Sequence, residues 1–237
     1  MKRVRFNLLS VLIVFFGFLI LFTLPAMSAE GDYDGAYSGT FTGGDNGTWV
    51  AIVSGTSLQF FTWSNLHSSV DGGEFYLNNS GGFHDDTDLE RVHITGTVSG
   101  NTMSGTWVDE PEGGAFSGVK STQVSQYASF YSGTYTNNVD LDGTWSLTIM
   151  DSGYLVGAIV IENRTLPIKG GVNDSGVVIA YEDNEMIGMK GTIVGSSLSG
   201  NWGDADDANK GTFTSAGSSP GSDSESSEGG CFVKSLF

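Results

Sequence analysis

The sequence predicts an all-β protein of two tandem antiparallel up-and-down β-meander units, each a small eight-stranded barrel. Three observations carry this expectation. A long pattern occurs twice in the same order, apolar residues alternate with period two, and turn residues recur every 10 to 12 positions.

The repeat is visible in three pieces. "YSGTFTGGDNGTW" (37–49) returns as "YSGTYTNNVDLDGTW" (131–145), "GTVSGNTMSGTW" (96–107) as "GTIVGSSLSGNW" (191–202), and "GAFS" (114–117) as "GTFT" (211–214). The offsets run from 94 to 97 residues and the order is kept, which reads as a tandem duplication. Unit one is expected over 33–120 and unit two over 128–216, joined by "STQVSQYAS" (121–129). Each unit carries its own full strand set, so each is expected to fold on its own.

The first element in the chain is an expected signal peptide, residues 1–29, with an uncleaved membrane anchor as the alternative. Lys2, Arg3 and Arg5 precede an apolar run from Leu8 to Leu24, Pro25 breaks it, and the small residues of "AMSAE" offer a cleavage site. Its removal would leave seven basic residues against 27 acidic ones. So acidic a surface repels nucleic acid and anionic lipid, which need clustered Lys and Arg, and leaves a cation or a basic partner open. Export places the protein in the periplasm, on the cell surface or in the medium.

Unit one begins and ends as unit two does, but its middle, "NLHSSVDGGEFYLNNSGGFHDDTDLE", is less regular, so longer loops or distorted strands are expected there. In "ERVHITGTV", Val92, Ile94 and Val98 share a face opposite Arg91, His93 and Thr95. Unit two is cleaner. Strands are expected to start near Tyr131, Gly143, Tyr154, Thr165, Gly176, Met186, Ser197 and Lys210, separated by turns rich in Asn, Asp and Gly. In "GTWSLTIM", Trp145, Leu147 and Ile149 share a face opposite Thr144, Ser146 and Thr148. Short loops join antiparallel neighbours, and eight such strands can close into a barrel without open edges. No mature segment holds a 3.6-residue apolar period for three turns. The 35 glycines interrupt every candidate helix.

Four Gly-x-Trp tripeptides, at 47–49, 105–107, 143–145 and 200–202, sit on these strands. Gly-x-Trp early in an eight-stranded meander resembles the calycin pattern of lipocalins and avidins, and the Thr- and Gly-rich strands resemble avidin more. The resemblance implies that Trp49 matches Trp145, that Trp107 matches Trp202, and that all face inward as barrel plugs or pocket walls. It carries over no ligand-binding residue.

No catalytic, cofactor-binding or metal-binding residue is expected. His67, His84 and His93 have no counterparts in unit two, and "HDDTDLERVH" (84–93) matches no metal-loop spacing. "DLDG" (140–143) and "DADD" (204–207) look like calcium-loop fragments but lack the downstream Glu. The acids fall in turns, and no Gly-x-Ser-x-Gly elbow occurs. The expected function is a non-enzymatic envelope or secreted binding module for an unknown small molecule or envelope component. A structural spacer without a pocket is the alternative, and an unrecognised hydrolase the more distant one.

The tail, residues 217–237, is rich in Ser, Gly and Glu and is expected to be disordered. It ends in "EGGCFVKSLF" with Cys231, the one cysteine of the chain. "GGCF" is similar to the Gly-Gly-Cys tails of some exported bacterial proteins, which implies sorting or attachment. A lone thiol in an oxidising compartment points to lipid attachment at the membrane or to a disulfide-linked dimer through Cys231.

Overall fold

The computed structural model describes residues 33–84, 92–137, 143–161, 163–182, 187–204 and 210–215. The expected signal segment, Asp140, Asp142, Asp206 and Asp207 of the two acidic loops, and the tail with Cys231 lie outside the described residues.

Unit one holds β1 (Gly35–Gly43), β2 (Gly47–Ser54), β3 (Ser57–Ser64), β4 (Val70–Tyr76), β5 (Gly82–His84), β6 (His93–Ser99), β7 (Thr102–Asp109) and β8 (Glu112–Lys120). A 3-10 turn at Val124–Tyr127 follows. Unit two holds β9 (Ser129–Asn137), β10 (Gly143–Ile149), β11 (Tyr154–Ile161), β12 (Arg164–Val172), β13 (Val177–Glu182), β14 (Ile187–Val194), β15 (Ser197–Asp204) and β16 (Lys210–Ser215). All eight expected strand starts of unit two fall within two residues of these. The turn chemistry that marked them is the reason: Gly153, Gly176 and Gly195 take positive φ at hairpin ends.

Both units are antiparallel meanders. Unit two closes completely, β9 pairing with both β10 and β16. In unit one β1 pairs with β8 in the same way, but β4 and β5 stand at the two ends of the sheet. The difference lies in β5. It has three residues where β13 has six, and the sequence after His84 turns to "DDTDLER". The counterpart β13 instead runs on through Ala180 and Tyr181 and pairs with β12 from Lys169 to Val172. Among the described residues no ladder joins β4 to β5, so the break in the sheet falls within the irregular middle expected of unit one.

The duplication holds at the level of single hydrogen bonds. The Trp49 indole donates to the Thr40 carbonyl at 3.2 Å, and Trp145 to that of Thr134 at 3.1 Å. Trp107 donates to Thr42 at 3.3 Å, and Trp202 to Thr136 at 3.0 Å. Tyr37 Oη donates to the Tyr33 carbonyl, and Tyr131 Oη to that of Tyr127. A buried indole N–H without an acceptor would be costly, and here each finds a backbone carbonyl, Trp49 and Trp145 on the adjacent strand and Trp107 and Trp202 two strands away.

The two units share a seam. The inward faces of β2 and β3 carry Trp49, Ala51, Leu58 and Phe60, and their outward faces carry Val50, Ile52, Phe61 and Trp63, which are buried as well. The outward set packs into one apolar cluster with Ile179 and Tyr181 of β13. Gly171 lets the sheets approach, since a Cβ there would stand 2.6 Å from Val50 Cγ1. At the edge of this seam Lys190 Nζ lies 5.7 Å from the centre of the Trp63 ring, and burial pulls its pKa below the usual lysine range. The linker is pinned to unit two: Asp174 accepts the backbone N–H groups of Thr122 and Gln123, the latter at 2.6 Å.

Candidate functional site

The interior of unit one contains a cavity of about 170 Å³, and the equivalent place in unit two holds about 10 Å³. The smaller volume is roughly that of one water, about 10–15 Å³. One barrel is therefore filled and the other is not. Register shows why.

Across β3 and β4, Thr62 pairs with Asp71 and Phe60 with Gly73. At the same levels of unit two, Ile159 pairs with Leu166 and Gly157 with Ile168. Ile159 and Leu166 give way to a hydroxyl and a carboxylate, while the Gly157–Ile168 pair becomes Phe60–Gly73, which moves the bulk from one strand of the pair to the other. Ser64 likewise stands where unit two has Ile161. A Cβ on Gly73 would stand 3.0 Å from the Phe75 ring, so glycine here makes room for that ring. The other walls are alike: Phe41, Val92, Ile94 and Trp107 line the cavity, and Tyr135, Ile187, Met189 and Trp202 line its small counterpart.

The floor is aromatic. Trp49 stacks on Phe60 at 5.0 Å between ring centres, and Phe116 meets both rings, at 5.7 and 5.2 Å. Phe75 packs edge-on to Phe60. These contacts hold the rings rigid, because each has at least one aromatic neighbour in a favoured offset or T-shaped geometry. The Phe116 ring in turn lies over the Gly96–Gly105 pair. A Cβ on either glycine would come within 2.8 Å of its Cζ. The first glycine of the "GTW" at 105–107 thus makes room for the floor.

The mouth is polar and acidic. Asp45, Asp71, Asp109 and Glu112 stand there with His67, and Asp71, Glu112 and His67 are exposed. The Thr62 hydroxyl donates to the Asp71 carbonyl at 3.3 Å, which fixes it on the wall. Phe41 meets the Trp107 edge at 6.0 Å on the opposite side.

The Trp residues expected to plug or wall a pocket divide. Trp107 is half-buried and lines the cavity, whereas Trp49 lies behind the floor, fully buried. Trp145 and Trp202 are buried in unit two, Trp202 beside the small void. Of the three histidines, His67 is at the mouth, while His84 and His93 are exposed on β5 and β6. Among the described residues no group of three metal-ligating side chains stands together. Thr62, Ser64, Asp71 and Gly73 were not singled out in the sequence. A comparison of the two units strand by strand would have found them, as polar or absent side chains opposite aliphatic ones.

No protein-family model and no curated protein matches the chain. Among solved structures it is similar to isotype 1 transferrin binding protein B from serogroup B Neisseria meningitidis, with 11% identity over 72% of this chain and 52% of that one, TM-score 0.30. It is also similar to a surface lipoprotein, with 10% identity over 81% of this chain and 99% of that one, TM-score 0.27. A mutant of the vaccine antigen transferrin binding protein B from Haemophilus parasuis Hp5 gives 8% identity over 72% and 53%, TM-score 0.26. The chain spans about half the length of the two transferrin binding proteins. Scores this low say nothing of a shared ligand, and the two-barrel architecture rests on the strand pairing above.

Proposed function

We propose that the protein is an exported, non-enzymatic binding module whose unit one takes a small molecule into its barrel. Unit two is the filled copy that braces it. The observation that supports this is the difference between about 170 and about 10 Å³ at one duplicated place, where Thr62, Ser64 and Asp71 replace aliphatic side chains. A cavity of about 150 Å³ suffices to admit benzene, so one ring or its equivalent fits. The polar groups ring the mouth over a hydrocarbon floor, an arrangement that orients a ligand. Export by the leader and retention at the envelope through Cys231 belong to the same proposal and rest on the sequence.

The spacer alternative is favoured only for unit two, whose interior is full. The test uses the full mature chain and the paired substitution Thr62→Ile with Ser64→Ile, which copies unit two into unit one. Calorimetric titration and Trp fluorescence against a panel of one-ring aromatics and pyranose sugars should show uptake of at least one member by the parent protein. The filled variant should lose that uptake and gain thermal stability. Silence from the parent across the panel, or equal uptake by both proteins, would overturn the reading.

A further inference from the structure

Resting on that cavity, we infer that its ligand is a small organic cation: an ammonium group on a compact apolar body. Two features of the site point the same way. The floor presents the rings of Phe60, Phe75 and Phe116, backed by Trp49. Aromatic faces carry the negative part of the ring quadrupole and attract cations, and more strongly where water is thinned out.

The mouth adds whole charges of the same sign. Asp45, Asp71, Asp109 and Glu112 line it, and none of its described lining residues is Lys or Arg. The chain as a whole carries a formal net charge of −17. A carboxylate or phosphate ligand would meet repulsion at every step inward. A sugar would bring hydroxyls to a floor of Phe rings that offers no acceptor. An amine on an aryl or short alkyl body satisfies both ends: the body displaces water from the rings while the charged head stays at the level of Asp71 and the Thr62 hydroxyl. The register that separates the units also supplies this charge, since Asp71 stands where unit two carries Leu166.

Three isosteric probes differing in charge test it on the full mature chain: benzylamine, benzyl alcohol and benzoate, by calorimetric titration. Benzylamine should bind about tenfold more tightly than benzyl alcohol at low ionic strength, in line with a cation–π and carboxylate contribution of about 1–2 kcal/mol. Benzoate should bind most weakly. The preference should shrink toward 1 M salt, where the screening length falls to about 3 Å. Asp71→Asn with Asp109→Asn and Glu112→Gln should narrow the preference toward the part that the aromatic floor supplies. Benzyl alcohol binding as well as benzylamine, yet lost with Thr62→Ile and Ser64→Ile, would overturn the cation and leave the cavity reading standing. A preference undiminished by the three neutralisations would overturn it too. No uptake of any probe would remove both.

Discussion

Tyr37 shows how far a single residue carries through this fold. It is fully buried, and its hydroxyl donates to the carbonyls of Tyr33 at 2.9 Å and Gly100 at 3.2 Å. Burial, with Asp34 and Tyr33 nearby, pushes its pKa up to about 12, and burial raises that of its counterpart Tyr131 as well. In the unfolded chain a tyrosine ionises near 10, so between about pH 10 and 12 the folded state holds more protons than the unfolded one. Stability is then complete below pH 10 and falls as pH rises toward 12. Thermal melts of the parent should show this loss, and Tyr37→Phe should flatten much of it. Equal slopes in both proteins would refute the assignment. At this scale the paired Trp residues were legible, because Gly-x-Trp is repeated in register. Thr62 and Ser64 were not, because "SLQFFTWS" is apolar on both faces and alternation there cannot say which face is inward.

Among the elements, the strand starts of unit two were legible from turn chemistry, while the burial of β2, β3 and β13 on both faces was not. Yet the signal existed. "WVAIV" and "VVIAY" are continuous apolar runs, and a strand buried on both faces reads that way rather than alternating. The broken pairing between β4 and β5 was legible only as irregularity in the middle of unit one. It has a kinetic signature. Amide protons are lost fastest where backbone hydrogen bonds border solvent and little packs over them. Hydrogen exchange should therefore run faster in β5 and along the outer edge of β4 than in β12 and β13, their closed counterparts. Matched protection in the two units would mean that the first barrel is closed in solution.

At the scale of the molecule, the duplication gave two barrels and the seam makes them one object. Residues 128–218 expressed alone should keep a β-type circular dichroism spectrum, since every strand of unit two pairs within the unit. They should also melt at lower temperature than the whole and self-associate, because Ile179 and Tyr181 lose their cover, and an exposed Ile forfeits about 1.5–3 kcal/mol. A monomeric fragment as stable as the parent would show that the seam contributes nothing. That seam has a geometrical corollary for the cavity. β3 carries Phe60 and Thr62 on one side and Phe61 and Trp63 on the other, while β4 carries Gly73 inward and Gly72 against Tyr181. Cavity and neighbouring barrel are thus separated by a party wall one strand thick. On the proposed reading, a guest on one side of that wall would press against the filled barrel on the other.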